Sequence, residues 1–361
     1  MVIYVLDKNF NIVGLIDEFE SLIWRPAYNE IGDFELYLNA SSEVIELLKK
    51  DYYLVRSTDI TIEDGNTTYT NVMIIKNFNL KTDVEEGDHY RLTGKELKFI
   101  LKQRIVWTQT NLSGKVEESI RKLVTENAIN PTDSNRIIPD LVLGSLAGFT
   151  ETMKKQITGT RLDEAIIDIC KTYNYGWDIF VYNQQMVFIV YSGLDRSYAQ
   201  TDRPYVVFSD EFDNILNSEY QLSSEDYANC CLVAGEGEGK ARKTSTINNN
   251  LSGLDRYELY VDARDLSQNK DSSEAEDIIS DEDYDVLLQE RGQEQLAELQ
   301  YTEGFSGEVL DNFTFKYNED FFMGDIVTVV NKYGLTKNVQ VISAIESIDE
   351  NGTTLIPQFN I

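Results

Sequence analysis

Residues 33–38, DFELYL, alternate polar and apolar with period two, and the strand pattern that organises the chain lies in residues 321–348, FFMGDIVTVVNKYGLTKNVQVISAIESI. Asp325-Ile326-Val327-Thr328-Val329-Val330 is dominated by β-branched residues, which suit a pleated, half-buried surface. Gly324 marks the turn that admits this strand. Asn331-Lys332-Tyr333-Gly334 supplies a hairpin in which Gly334 is free to take a positive φ. Val339, Val341 and Ala344 or Ile345 carry the apolar run back, so the pattern predicts two strands of a closed sheet. Nothing in it is chemically reactive.

The same pattern occurs near the start of the chain. Residues 70–78, TNVMIIKNF, can be laid on residues 337–345, KNVQVISAI. Asp51-Tyr52-Tyr53-Leu54-Val55 precedes the first copy as Gly324-Asp325-Ile326-Val327 precedes the second. Each copy runs into an acidic turn, at 83–88 and at 349–352, and each returns as a strand, at 89–92 and 353–356. The repeat predicts one barrel-like module used twice.

Elsewhere the patterning predicts strand over most of residues 1–106. A hairpin joins residues 2–6 to 12–16, strands follow at 19–28 and 32–38, and a short serine-capped helix occupies 41–50. A second helix is expected at 95–104. Residues 107–204 read as an inserted α/β domain. Its helices are expected at 115–126 and, capped by Thr160, at 161–173, and a hairpin joins 177–182 to 186–191; residues 131–159 are loop-rich. Residues 205–361 read as the second module, with strands at 205–208, 215–222, 228–234, 241–248, 257–261 and 313–317. An acidic run and a helix at 284–299 interrupt it over residues 262–300. The fold class expected is α+β and β-rich: two similar β-barrel-like tube modules, an inserted small α/β domain and a helical insertion.

Length and charge narrow the function classes. A chain of 361 residues predicts about two to four domains. No apolar run approaches the length of a membrane span, and the N-terminus lacks the pattern of a signal peptide, so the chain is expected to be soluble and made in a cytoplasm. Asp plus Glu number 62 against 32 Lys plus Arg, a formal charge of −30. That sign argues against a protein that neutralises nucleic-acid phosphates. It fits a solubility surface, or a wall that something anionic slides past. Cys170, Cys230 and Cys231 are odd in number and two are adjacent, so they write no disulfide framework and read as small hydrophobes.

Candidate chemistry is sparse. Residues 234–241, AGEGEGKA, have the spacing of a phosphate loop, but Ala241 stands where the magnesium-binding hydroxyl belongs, and Glu236 and Glu238 would meet the anion. A Gly-rich bend with close backbone approach explains the run better. The single histidine, His89, sits in an expected turn, and no Gly-x-Ser-x-Gly elbow is present. The cysteines lack zinc spacing, and the acidic residues at 271–285 lack the glycine and spacing of a helix–loop–helix calcium site. No catalytic residue, metal or cofactor is expected. Aromatic residues are the remaining signal: 21 Tyr and 16 Phe, with Trp24, Trp107 and Trp177, suit a protein interface as well as a β core.

Three runs resemble the hub proteins of siphophage tail tips, the tail-associated proteins related to the baseplate hub of contractile phages. They are Val5-Leu6-Asp7-Lys8-Asn9-Phe10-Asn11 with Ile16-Asp17 and Ser21-Leu22-Ile23-Trp24; residues 229–239, including Gly235, Glu236, Gly237 and Gly239, with Arg242; and Gly324-Asp325-Ile326-Val327. The resemblance implies a homotrimer in which two modules per chain build a pseudo-six-fold ring. It implies docking on the six-fold tail tube and the distal tail protein hexamer, with the tape measure protein and receptor-binding or tail-fibre proteins as further partners. DNA would pass without specific binding, in a virion tail assembled in the bacterial host cytoplasm. A lumen of carboxylates would repel the passing phosphates. Larger members carry a C-terminal hydrolase or receptor-binding region, which a chain ending at Ile361 is expected to lack. The rivals are a cell-wall hydrolase using paired carboxylates, a receptor- or carbohydrate-binding module, and the same hub in a contractile tail or bacteriocin particle.

Overall fold

The structure is a computed structural model that describes residues 1–84, 87–212, 214–268, 278–308 and 315–360. Residues 271–277 of the acidic run and 313–314 of an expected strand lie outside that description.

The first part of the chain forms strands β1 (Ile3–Leu6), β2 (Ile12–Ile16), β3 (Ser21–Arg25) and β4 (Asp33–Asn39), then helix α1 (Ser42–Leu47). It continues with β5 (Tyr53–Arg56), β6 (Ile60–Glu63), β7 (Asn66–Tyr69), β8 (Met73–Asp83) and β9 (Gly87–Glu96). The β1–β2 turn is held by the Asp7 carboxylate, which accepts from the backbone N–H groups of Asn9 and Asn11 at 2.8 and 2.9 Å. Ser41 caps α1 by accepting from Val44 N at 3.2 Å. The helix expected at 95–104 is instead the end of β9 followed by a 3-10 turn, Leu97–Gln103. Lys95 is held between Asp33 and Ile74 in the ladder, which keeps the helix from starting earlier. His89, expected in a turn, lies within β9 opposite Asn39 and Lys81.

Next come β10 (Thr110–Lys115), α2 (Val116–Val124), β11 (Leu141–Leu143), β12 (Thr152–Ile157), α3 (Leu162–Tyr173), β13 (Gly176–Tyr182) and β14 (Gln185–Tyr191). Helix α2 buries Val116, Ile120, Leu123 and Val124, the face its spacing predicts. Thr160 is not the cap of α3. Arg161 occupies that position and makes no side-chain cap bond. Between β13 and β14, Asn183 and Gln184 both take positive φ, at 47° and 68°, as a two-residue hairpin turn requires.

The last part contains β15 (Val207–Ser209), β16 (Leu216–Ser223), β17 (Cys230–Ala234), β18 (Thr244–Ile247), β19 (Glu258–Asp262) and α4 (Asp281–Glu298). Strands β20 (Thr302–Glu308), β21 (Ile326–Val330), β22 (Thr336–Asp349) and β23 (Gly352–Asn360) complete it.

Among the described residues, thirteen strands share one sheet in the order β16-β20-β23-β22-β3-β4-β9-β8-β5-β1-β2, with β21 on β22 and β15 on β21. The closed, barrel-like modules expected from the pattern are not what the described residues form: among them the sheet is open, and no sheet closes into a barrel. In the second module the length of β22 accounts for this. Its first half pairs with β21, and its far half, Glu346 to Ile348, pairs with β3. The edge that would close the second module on itself instead joins the two modules.

The repeat is nevertheless written in the hydrogen bonds. One module has the order β3-β4-β9-β8-β5 and the other β16-β20-β23-β22-β21, with the same chain order and antiparallel pairings. Strand β8 pairs Met73 with Leu54 and Ile74 with Tyr53; β22 pairs Val339 with Val327 and Gln340 with Ile326. Asp51 N donates to Ile75 O at 2.9 Å, and Gly324 N to Val341 O at 2.8 Å. Ile75 N donates to Tyr52 O, and Val341 N to Asp325 O, both at 2.9 Å. Each long hairpin then carries a β-bulge, after Ile75 in one and after Val341 in the other, the same distance from its turn. The sequence alignment is right for 51–54 against 324–327 and one residue out for 70–78, because Met73 matches Val339, not Gln340. A slip of one residue would reverse every side chain.

Each face of the first module serves a different core. Val5, Leu54, Met73 and Ile75 enter one cluster, with Leu22, Trp24, Phe34 and Leu92. Their neighbours Leu6, Val55 and Ile74 point the other way, into a core shared with α2, α3, β13 and β14. A five-stranded sheet, β11-β14-β13-β7-β6, and the β10–β12 pair build that side. Strands β17, β18 and β19, which the pattern alone puts in the second module, form a sheet of their own under α4.

Candidate functional site

The features built with most care in this chain lie where the two modules meet. Residues 22–28 run along 342–348 of β22. Trp24 stands opposite Glu346, Tyr28 N donates to Ile342 O at 2.8 Å, and Ser343 Oγ donates to Pro26 O at 3.0 Å. Trp24 is fully buried against Phe34, with the guanidinium of Arg56 over its ring at 5.2 Å. Arg56, also buried, donates through Nε to Asp59 at 2.5 Å and through Nη1 to Glu346 of the other module. Asn71 Nδ2 adds a bond to Asp59 at 2.7 Å. Burial works against the Arg56 charge, but Asp59 and Glu346 outweigh it and raise its pKa.

A second buried pair ties this junction to Trp177 of β13. Lys98 Nζ lies 3.0 Å from Glu96, donates to Ala27 O at 2.6 Å and sits over the Trp177 ring. Glu96 accepts from Gly32 N at 2.6 Å. Burial raises the Glu96 pKa, with Lys98 opposing and Asp178 reinforcing.

Gly324 and Asp325 belong to the same region. Gly324 has φ +88°, and a Cβ there would stand 2.3 Å from the Tyr28 ring, so only glycine fits. The Asp325 carboxylate, 2% exposed, accepts from Leu194 N at 2.7 Å, Arg196 Nε at 2.6 Å and Phe322 N at 3.0 Å. It pins Leu194 and Arg196, which follow β14, beside β21.

The Gly-rich run lies apart, on the β17–β18 connection. A Cβ on Gly235 would stand 2.5 Å from the Tyr284 hydroxyl, and Gly237 and Gly239 take φ +97° and +53°. Glu236 N, the kind of donor a phosphate loop aims at its anion, donates instead to Tyr284 Oη at 2.8 Å. Arg242 closes the loop, donating to Gly235 O, Ala234 O, Tyr260 Oη and Asp262 at 2.8–3.0 Å. Gly235 allows close packing against α4, Gly237 and Gly239 supply the positive φ of the bend, and Arg242 is engaged in holding it.

Thus Trp24, Gly324 and Asp325 are brought together at the junction, while Gly235, Glu236, Gly237, Gly239 and Arg242 form a separate structural loop. Arg56, Asp59, Glu346 and Lys98 escape sequence reasoning altogether. Arg56 and Glu346 are 290 residues apart, and no local pattern announces such a pair.

A polar cleft of about 1000 Å³ opens between both modules, α3 and α4. Its acids are largely engaged: Lys155 holds Glu294 at 2.6 Å, and Arg291 holds Asp265 at 2.8 Å. Among the described residues no group of His, Cys, Asp and Glu is arranged to hold a metal ion. The three cysteines are free and buried. His89 stacks on Tyr37 and contacts Glu20 through Nδ1 at 3.0 Å. The arrangement at the junction joins surfaces through buried hydrogen bonds and ion pairs.

The fold is shared with solved tail proteins. A tail protein from Neisseria meningitidis MC58 is 13% identical with a TM-score of 0.58, over 100% of this chain and 96% of that one. A 43 kDa tail protein of prophage MuSo2 from Shewanella oneidensis is 11% identical with a TM-score of 0.59, over 99% and 98%. Prophage tail protein gp18 from Listeria monocytogenes EGD-e is 12% identical with a TM-score of 0.50, over 99% and 94%. No curated protein sequence matches the chain. A family model described as siphovirus ReqiPepy6 Gp37-like protein matches residues 2–359, and the chain belongs to that family of phage tail proteins.

Proposed function

We propose that this structural tail protein is the hub of the tail tip: a homotrimer whose six modules form a ring that docks the six-fold tube and the distal tail ring. The observation that carries this reading is the repeated five-strand module, matched in strand order, register and hairpin bulge, with the two copies joined edge to edge by β22 and β3. A trimer of such chains presents six equivalent surfaces, which a single-module trimer does not. The net charge of −30 supports a lumen that repels DNA phosphates, so that the genome passes without sticking. The site's packing supports a structural role over catalysis, since buried Arg56 is engaged in holding Glu346 of the other module.

The test is the mass of the purified protein, alone and mixed with its distal tail ring, together with electron microscopy of the complex. A ring of three chains is expected. A complex that binds the tail ring with another copy number and no annulus would refute the reading.

A further inference from the structure

The first module carries a strand edge that its twin uses to hold a neighbour. In β22, Glu346, Ser347 and Ile348 pair with Trp24, Ile23 and Leu22 of β3. The matching residues of β8 are Leu80, Lys81 and Thr82. Among the described residues no strand runs beside them on that side, because β5 pairs with β8 only at Met73 and Ile74. Phe78 and Leu80 stand opposite Leu92 and Tyr90, two residues of the first module's core, so they point to the core face. Yet they are 53% and 51% exposed, whereas Ala344, the twin of Phe78, is 1% exposed. One strand of this core is uncovered.

The complementary edge is at the other end of the sheet. Strand β16 is the twin of β3 and is the terminal strand of the order, bonded to β20 alone. Trp24 lies opposite Phe34, and Tyr220 opposite Phe305, at matching places in the two modules. Trp24 therefore maps on Tyr220, and Ile23 on Glu219.

We propose that the far half of β8 takes β16 of a second copy of this chain. The strands run antiparallel, with Leu80 opposite Tyr220 and Lys81 opposite Glu219, repeating between chains the β22–β3 junction found within one. The register pairs an apolar side chain with an aromatic one and a cation with an anion, both favourable cross-strand pairs. The contact covers Phe78 and Leu80 and removes two exposed sheet edges at once. It is heterologous, so repetition carries each chain to the next and closes a ring. The inference rests on the module equivalence behind the hub reading and supplies its missing contact.

The test uses the full chain carrying Leu80→Cys and Tyr220→Cys, oxidised over a concentration series, denatured and sized without reductant. Directly opposite positions in an antiparallel pair lie within disulfide reach. The native cysteines are buried, which keeps the background low. Linked dimers and a closed linked trimer are expected from the double variant only. The same species from either single variant, or none from the double variant at any concentration, overturns the proposal. The native mass of the same samples separates the two readings. A trimer that does not cross-link keeps the ring and removes this contact, whereas a ladder running past three keeps the contact and removes the closed trimer. Should the cysteines disturb folding, Lys81→Glu and Glu219→Lys serve instead. Each alone is expected to lower the assembled fraction severalfold and both together to restore it; absence of rescue overturns the register.

Discussion

Arg56 of the first module donates to the Glu346 carboxylate of the second while lying over the Trp24 ring, so one buried cation spans the line where the modules join. Removing it leaves Asp59, 5% exposed, without its main counter-charge. Arg56→Ala is expected to destabilise the protein by about 3–5 kcal/mol, the usual cost of breaking a buried ion pair from one side. Thermal unfolding should show the loss, and Glu346→Gln should show a smaller one, because Asp59 still compensates the arginine.

Gly292 gives a prediction opposite in sign to helix propensity. In an exposed helix Gly→Ala gains about 1 kcal/mol. Here a Cβ would meet Val233 and Ile247 at 2.6 Å and Cys231 Sγ at 2.9 Å, where α4 lies directly on its sheet. Gly292→Ala is expected to cost about 1–3 kcal/mol through overpacking, measured by denaturant unfolding. A gain in stability would mean that α4 does not sit this close.

Asp33 sets part of the acid sensitivity. Burial raises its pKa, but bonds from Arg25 at 2.5 Å and Lys95 at 2.9 Å outweigh that and hold it below the ordinary carboxylate range. A depressed folded pKa contributes stability that is fully present above the unfolded value of about 3.9 and is lost as pH falls through the folded one. Asp33→Asn is therefore expected to lower the melting temperature at neutral pH and to flatten its fall below pH ~4. Glu96 has the opposite sign. Its raised pKa costs stability above that pKa, so Glu96→Gln should narrow the gap between neutral and mildly acidic pH.

The thiols should be silent in the native protein. Burial pushes the Cys170 and Cys231 thiols up, and Cys230 is 1% exposed. Titration with an aromatic disulfide reagent is expected to label none of the three until denaturant is added. Rapid native labelling would show that the β17–β19 unit or the α3 face opens on its own.

Loop chemistry around Arg242 gives a last expectation. Its fork reaches two carbonyls, a hydroxyl and a carboxylate, which a lysine cannot match. Arg242→Lys should loosen residues 235–242 in hydrogen exchange. Titrated ATP with magnesium should produce no heat of binding in either protein.

Much of the local structure was legible in the residues themselves. The alternation in 33–38, the Asp7 turn, the Ser41 cap and the stripe of α2 each depend on neighbours a few positions away, and so did the correspondence of 51–54 with 324–327. Three things were not legible. The register of the repeat slipped by one at Met73, because apolar runs match equally well at either setting and only the bulge decides. Strands β17–β19 left the second module for a sheet with α4, because a strand's pattern states which face is buried but not what covers it. The two expected modules share one open sheet because β22 is long enough to pair with β3 across the junction. Sequence alone determined most of the strands, helices and turns, since those choices are made by propensity and periodicity over a few residues, but it missed the 3-10 turn at 97–103 and strands β6, β7, β11 and β12. The tertiary structure alone decided which edges meet, because pairings such as Arg56 with Glu346 depend on free energy summed over cores that distant segments build together.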